Sequence, residues 1–127
     1  MKKIYNSDTA PAPIGPYSQA VSAGGFLYIS GQIPIDQPNN KLIDGSIEKE
    51  TEQVMKNLEM ILNSAELNFS HVVKTSIFVK NMSDFSRINE VYGKSFPNDP
   101  PARETVEVSA LPKGVNVEIS CIAYFPG

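Results

Sequence analysis

The segment 101–127 constrains the fold of this chain most strongly, because it contains two runs in which apolar and polar residues alternate. The runs flank a turn over residues 109–114, where Pro112 and Gly114 favour a reversal of the chain. Alternation of this kind is typical of strands that bury one face. The segment therefore predicts a β-hairpin, in the register that keeps its valines on one face: Val106 opposite Val117 and Val108 opposite Val115.

The same register predicts a polar group on the other face of the hairpin. Thr105 would lie opposite Glu118, and Arg103 would lie diagonally across from Glu118, within reach of a long side chain. A guanidinium, a hydroxyl and a carboxylate brought together could hold a small anion beside a water molecule. The alternative is a solvated ion pair between Arg103 and Glu118, which would contribute little to stability.

Length and charge limit the class of protein. A chain of 127 residues can bury a hydrophobic core, and we expect residues 1–127 to form one domain. The net charge of −3 makes a nucleic-acid partner unlikely, because phosphate binding needs clustered Lys and Arg. With one cysteine, no signal-peptide pattern and no apolar run of transmembrane length, we expect a cytoplasmic protein that does not bind a membrane.

Apolar periodicity predicts the element order β-β-α-β-α-β-β. Two helices can cover only one face of the resulting mixed sheet, so the other face would be bare unless another copy of the chain covers it. We therefore expect an α+β fold that self-associates through its sheet. Before the C-terminal hairpin, the predicted elements are strands 17–23 and 26–32, helix 47–65 capped by Ser46, strand 72–79, and helix 84–96 capped by Ser83.

Cysteine and histidine have structural interpretations in this pattern. Cys121 falls on the apolar side of the last strand, which favours a buried core thiol over a nucleophile. His71 begins a strand, and a surface or capping role is favoured over catalysis. One histidine and one cysteine have no spacing of metal ligands, so no metal site is predicted.

Three other positions have both a structural and a functional interpretation. Ser30 and Gly31 end a strand, where glycine allows close approach of a ligand or another backbone, although a simple strand-end turn is the alternative. Asn89 interrupts the apolar stripe of the second helix and should be half-buried and hydrogen-bonded. Tyr17 is either a core aromatic residue or a site residue.

Several motifs, in one order and over nearly the whole chain, resemble the Rid family of reactive intermediate (imine/enamine) deaminases. This family is also called the YjgF family and is often labelled L-PSP endoribonucleases; the Arg103 motif looks like its RidA subgroup. The motifs are GPYSQA at 15–20, YISGQIP at 28–34, TxxVMxNL at 51–58, VVKTSIFVKNM at 72–82, INEVY at 88–92 and PPARETVEVSALPKGVNVEI at 100–119.

The resemblance implies a chorismate-mutase-like domain and a homotrimer with sites in the clefts between subunits. It implies hydrolytic deamination, without a cofactor, of 2-imino and 2-enamino acids such as 2-aminoacrylate, 2-iminopropanoate and 2-iminobutanoate to 2-keto acids and ammonia. Arg103 would bind the substrate carboxylate, and Glu118 would orient or activate the attacking water. The cleft would be lined by Tyr17, Ser30, Gly31, Asn89 and Thr105.

Two residues depart from the family pattern. Glu104 and Thr105 stand where members often carry a small residue and a cysteine, which argues against a covalent role for position 105. By strand parity, Glu104 should point away from Arg103. Two alternative functions stay open: a non-catalytic regulator that binds a small carboxylate or a partner protein, and a ribonuclease or translation inhibitor, which the acidic chain supports less.

Overall fold

The computed structural model describes all residues from Met1 to Gly127, which form eight strands and two α-helices. Strands 26–32 and 72–79 have the predicted bounds. The strand β1 and the small β4–β5 hairpin were not predicted, because strands of two or three residues are too short to alternate visibly. The elements are β1 (Lys3–Tyr5), β2 (Ala20–Ala23), β3 (Phe26–Gln32), β4 (Ile35–Asp36), β5 (Lys41–Leu42), α1 (Ile47–Ser64), β6 (Val72–Val79), α2 (Phe85–Gly93), β7 (Ala102–Glu107) and β8 (Val117–Tyr124).

The main sheet has six strands in the order β1-β2-β3-β8-β6-β7. Strands β6 and β7 are parallel, as expected for strands joined by the helix α2, and the other neighbours are antiparallel. The predicted α+β fold with a mixed sheet is confirmed.

The predicted hairpin between β7 and β8 is wrong, because β6 lies between them and pairs with both. The predicted turn is present as a short 3-10 turn over Pro112–Gly114, with φ angles of 56° at Lys113 and 70° at Gly114. An alternating pattern shows which residues of a strand share a face, but it does not show which strand lies alongside. β6 carries its own apolar alternation and fits between the two strands, so the connection from β7 to β8 passes over its end.

The inserted strand also separates the polar residues that the hairpin brought together. Arg103 and Thr105 pair with the buried residues Thr75 and Ile77, so they lie on the face covered by the helices. Glu118 pairs with Phe78 and lies on the opposite face. The predicted convergence of Arg103, Thr105 and Glu118 on one face is therefore wrong for a single chain.

Both helices cover the same face of the sheet. Helix α1 starts as predicted, since the Ser46 hydroxyl accepts a hydrogen bond from the Lys49 backbone N–H at 3.1 Å. Helix α2 starts after Asp84 without a side-chain cap, so the predicted Ser83 cap is wrong, and the helix ends at Gly93 rather than at residue 96. The core between helices and sheet includes Leu27, Ile29, Val54, Leu58, Ile61, Ile77, Ile88, Val117 and Ile119.

The other face of the sheet, which we call the bare face, exposes large apolar side chains. Phe26, Tyr28, Val106 and Tyr124 are 39–47% exposed on the outer faces of β3, β7 and β8. Large apolar side chains grouped on one face mark an interaction surface more often than isolated ones do. One face of the sheet is therefore bare in the single chain, as the sequence predicts, and its covering by another copy stays a prediction.

The predicted structural roles of Cys121 and His71 are confirmed. Cys121 is buried, and burial raises the pKa of its thiol to about 12. The His71 ring nitrogen Nδ1 accepts a hydrogen bond from the Asn68 backbone N–H at 3.0 Å, which closes a capping box. None of the helices has the length and apolar composition needed to cross a membrane.

Candidate active site

Helix α2 holds the Arg103 guanidinium at the edge of the sheet. Phe85, Asn89 and Tyr92 lie four and three residues apart, so they share one face of α2, and that face is turned to β7. Arg103 Nη1 donates to Asn89 Oδ1 at 2.7 Å. The guanidinium carbon lies 5.4 Å from the Phe85 ring centroid and 5.1 Å from the Tyr92 ring centroid. These contacts fix the orientation of the side chain on two aromatic rings.

Arg103 keeps most of its hydrogen-bonding capacity. It takes part in none of the ion pairs of the chain, whereas Arg87 pairs with both Glu48 and Asp84. A guanidinium has five N–H donors, and the bond to Asn89 uses one of them. The proposed solvated ion pair between Arg103 and Glu118 is therefore contradicted. A fixed cation with free donors is suited to bind a carboxylate.

The residues beneath Arg103 are buried and polar. The Tyr92 hydroxyl and the Thr75 hydroxyl share a hydrogen bond of 2.7 Å, and burial raises the pKa of Tyr92. The Thr105 Oγ1 atom is buried without a hydrogen-bond partner. An unmade hydrogen bond of this kind typically costs about 1–3 kcal/mol, so Thr105 is an unsatisfied polar group on the same face of β7 as Arg103. We call Phe85, Asn89, Tyr92, Arg103 and Thr105 the Arg103 cluster.

Glu118 belongs to a different site. A cavity of about 330 Å³ opens beside it on the bare face, and four predicted site residues line it: Tyr17, Ser30, Gly31 and Glu118. The remaining lining residues, Ile14, Ile33 and Pro112, were not predicted. Each of these three residues lies near Tyr17, near Gly31 or within the 109–114 turn in the sequence, and that closeness is the signal from which they could have been predicted. We call the seven residues together the Glu118 pocket.

A β-bulge shapes the floor of the Glu118 pocket. Ile29 pairs with Cys121 and Gln32 pairs with Ile119, so β3 has one residue more than β8 between these pairs. The bulge contains Ser30, whose hydroxyl donates to the Ser18 carbonyl at 2.6 Å, and Gly31. A close approach at Gly31 was predicted, and the group that approaches is the Glu118 side chain of the same chain.

The Glu118 carboxylate has no partner within the chain. It forms neither an ion pair nor a hydrogen bond, and burial alone raises its pKa. A carboxyl group with a raised pKa accepts a proton more readily near neutral pH than an exposed glutamate does. Its one titratable neighbour in the pocket lining is Tyr17.

The wall of the pocket comes from the proline-rich loop that precedes β2. Buried Gln19 holds this loop: its amide nitrogen donates to the Pro11 carbonyl at 2.8 Å, and its oxygen accepts from the Ser7 N–H at 2.6 Å. The Tyr17 hydroxyl accepts from the Ile14 N–H at 3.3 Å. The side chain of Tyr17 is therefore part of the exposed loop and not of the core.

Within one chain, the Arg103 cluster and the Glu118 pocket cannot act on the same small molecule. β7 and β8 are two strand spacings apart, roughly 10 Å, and the two side chains lie on opposite faces of the sheet. The seven functional residues that the sequence predicts are divided between the two sites. Three of them, Asn89, Arg103 and Thr105, form one half-site, and four, Tyr17, Ser30, Gly31 and Glu118, form the other.

Glu104 points away from the Arg103 cluster, as predicted. Its carboxylate pairs with Lys74 Nζ at 3.0 Å and accepts a hydrogen bond from the Ser76 hydroxyl, both on the bare face. The Ser76 hydrogen bond, and then Lys74, lower the pKa of Glu104. Glu104 therefore leaves the guanidinium of Arg103 unneutralised.

Comparison with known proteins identifies the family. The endoribonuclease L-PSP family model matches residues 7–125. Reactive Intermediate Deaminase A of Arabidopsis thaliana, a chloroplastic protein, is 42% identical over 122 residues, which are 96% of this chain and 65% of that protein. The chain belongs to the endoribonuclease L-PSP family, which includes the Rid proteins, so the resemblance of its motifs is confirmed.

Solved structures agree with this assignment along the whole chain. YyfA of Yersinia pestis, a protein of the Rid family, is 46% identical with a TM-score of 0.95, covering 98% of this chain and 99% of that one. TdcF of E. coli, solved with bound serine, is 32% identical with a TM-score of 0.92, covering 98% and 99%. The fold is that of the L-PSP and Rid chains.

Proposed function

We propose that this protein hydrolyses 2-imino and 2-enamino acids, such as 2-iminopropanoate and 2-iminobutanoate, to 2-keto acids and ammonia. The observation that carries the proposal is the Arg103 guanidinium, which Asn89 and two aromatic rings hold without a carboxylate partner. Such a group suits a small carboxylic acid. The name of the Arabidopsis relative and the serine bound to TdcF, itself a small amino acid with a carboxylate, support the same class of ligand.

We propose further that the complete site forms between two copies of the chain in a homotrimer. The Arg103 cluster of one copy would face the Glu118 pocket of the next, which would bring the two halves together. The exposed apolar side chains of the bare face support such an assembly, since covering them removes apolar surface from water. A cyclic arrangement would form one site at each contact between copies.

In this composite site, the two charged groups have different tasks. Arg103 would bind the substrate carboxylate through two parallel N–H donors and hold the imine carbon near the next copy's Glu118. Glu118 would accept a proton from a water molecule while the oxygen of that water adds to the electrophilic imine carbon. The resulting carbinolamine releases ammonia after proton transfer to nitrogen, leaving the 2-keto acid. No cofactor is needed for this addition and elimination.

Deamination is tested by generating the unstable imine enzymatically in the assay mixture. An amino-acid oxidase acting on alanine or 2-aminobutanoate, with catalase present, supplies the imine, and lactate dehydrogenase reports the 2-keto acid. We expect the protein to accelerate keto-acid release when a trapping amine competes for the imine, and the Arg103→Ala variant to give no acceleration. Arg87→Ala is the matched control, because Arg87 lies outside both half-sites in an ion pair with Glu48.

The shared site is tested by mixing two inactive variants. Arg103→Ala and Glu118→Gln subunits, refolded together in equal amounts, would place an intact Arg103 beside an intact Glu118 at about a quarter of the contacts in a cyclic oligomer. We expect about a quarter of the parent activity to return. No return of activity would show that the site is not shared. Calorimetric binding of pyruvate without any deamination would favour a carboxylate-binding regulator instead.

A further inference from the structure

The Glu118 side chain lies directly against the backbone of Gly31. A Cβ atom placed on Gly31 would clash with Glu118 Oε2 and would lie 2.8 Å from Cδ and 3.1 Å from Cγ. Distances below 3.0 Å do not occur for real Cβ atoms, so an alanine at this position would force the carboxylate to move. No other glycine of the chain has a side chain this close.

Space, and not backbone conformation, is what position 31 requires. Gly24 and Gly25 have φ angles of +60° and +85°, which favour glycine, and a Cβ on either would meet nothing within 4 Å. Gly31 is the opposite case, since its φ lies outside the left-handed region. The β-bulge therefore turns a position without a side chain towards Glu118.

We propose that Gly31 is a positioning residue for Glu118, because its missing side chain lets the carboxylate lie flat on β3 and face the pocket. The proposal rests on the proposed function, in which Glu118 accepts the proton of the attacking water. Since Glu118 forms no hydrogen bond or ion pair, packing against this backbone is what holds its carboxylate in place. Burial raises the pKa of Glu118, and the Gly31 backbone is one of the surfaces that bury this side chain.

A methyl group at position 31 would displace a flexible side chain and leave the sheet intact. The atoms in the way belong to the end of the Glu118 side chain, which can rotate towards solvent. The Gly31→Ala protein should therefore fold, with its Glu118 carboxylate more hydrated and out of line with the pocket. Gly93→Ala is the matched control, since a Cβ on Gly93 would meet nothing within 4 Å.

The first test is a titration that needs no substrate. Carbon-13 NMR of the glutamate carboxyl groups, with the Glu118 signal assigned by its loss in Glu118→Gln, reports the pKa of this residue directly. We expect its pKa to fall towards the ordinary glutamate value in Gly31→Ala and to stay at the parent value in Gly93→Ala. An unchanged Glu118 pKa and chemical shift in Gly31→Ala would overturn the proposal.

The second test separates positioning from blocking of the ligand. If Gly31 positions Glu118, Gly31→Ala lowers kcat about tenfold or more, while calorimetric binding of pyruvate stays within about twofold of the parent. In a Glu118→Gln background the same substitution then has almost no further effect, because the two changes remove one function. Two results together would overturn the proposal: weaker pyruvate binding by Gly31→Ala, and a loss of kcat in the double variant equal to the product of the two single losses. They would show that the methyl group obstructs the ligand.

The two tests distinguish failure of this inference from failure of the proposed function. If the parent protein does not deaminate imines, the proposed function is wrong, and the titration still decides whether Gly31 positions the carboxylate. Should Gly31→Ala not fold, the variant Gly31→Ala/Glu118→Ala should fold, because the clashing carboxylate is gone. Misfolding of both would show that the backbone itself requires glycine, and would overturn the proposal.

Discussion

The hydrogen bond between Asn89 and Arg103 offers the sharpest test of the proposed carboxylate site. Asn89→Asp changes one amide to a carboxylate of almost the same shape, placed where Oδ1 now accepts from Nη1 at 2.7 Å. The new charge would pair with the guanidinium, so an incoming substrate carboxylate would meet a neutral pair instead of a free cation. Asn89→Ala removes the same hydrogen bond without adding charge and is the companion variant.

The expected loss follows from simple electrostatics. Two unit charges about 4 Å apart near a protein surface attract by about 4 kcal/mol. If neutralisation of Arg103 removes two thirds of that attraction, ligand binding weakens about a hundredfold, since about 1.4 kcal/mol is tenfold. For Asn89→Ala we expect about tenfold, because a hydrogen bond to a charged group contributes about 1.5–3 kcal/mol and other contacts still hold the guanidinium.

Calorimetric titration with pyruvate at pH 7 measures both losses. Asn89→Asp should bind most weakly, Asn89→Ala at an intermediate level and the parent most tightly. Urea unfolding is the control, and Asn89→Asp should not be less stable than Asn89→Ala, because the new carboxylate has Arg103 as a partner. Binding of pyruvate to Asn89→Asp within about threefold of the parent would refute the assignment of Arg103 as the carboxylate site.

Four further predictions concern Glu118, Cys121 and the oligomeric state. Because burial raises the pKa of Glu118, kcat should fall as the pH drops through a value above the ordinary glutamate pKa, a dependence that Glu118→Gln should lose; a parent profile flat down to pH 4 contradicts this. The raised pKa also means that ionised Glu118 destabilises the folded state. The free energy of unfolding in urea should therefore be the same for Glu118→Gln and the parent below the unfolded pKa of about 4.3. As the pH rises towards 7, Glu118→Gln should become progressively more stable than the parent. Cys121→Ala should keep full activity and lose about 1 kcal/mol of stability, and rapid inactivation of the folded parent by thiol alkylation would speak against its buried position. Light scattering should give about three times the chain mass of 13.9 kDa, and a stable monomer at micromolar concentration would exclude the trimer.

Much of the fold could be predicted because the longer elements carry clear periodicity. The stripe of α1 and its Ser46 cap, the strands 26–32 and 72–79, and the buried side of β8 at Cys121 all follow from local patterns. The pairing of β7 and β8 could not be predicted in the same way, because strand neighbours depend on contacts between distant parts of the chain. A turn with Pro112 and Gly114 suits a direct hairpin and a crossing over β6 equally well.

The sequence predicted seven residues of the two half-sites, but it predicted neither their arrangement nor the other residues around them. β7 is an edge strand, and its residues are exposed or half-buried on both faces. The alternation of Arg103, Thr105 and Val106 therefore does not show which face is turned to the core. Parity along β7 therefore did not reveal that Arg103 turns to α2. The contribution of Phe85 and Tyr92 was missed because aromatic residues in a helical stripe usually belong to the core.

The alternation of β8 has a consequence for how such a protein can diverge. Val117, Ile119 and Cys121 build the core, while Glu118 and Ser120 between them project to the other side and contribute nothing to it. A gene copy can therefore replace the carboxylate at position 118 without disturbing a single core contact. Proteins of this architecture can therefore differ at position 118, with or without a carboxylate there, and still keep the same core.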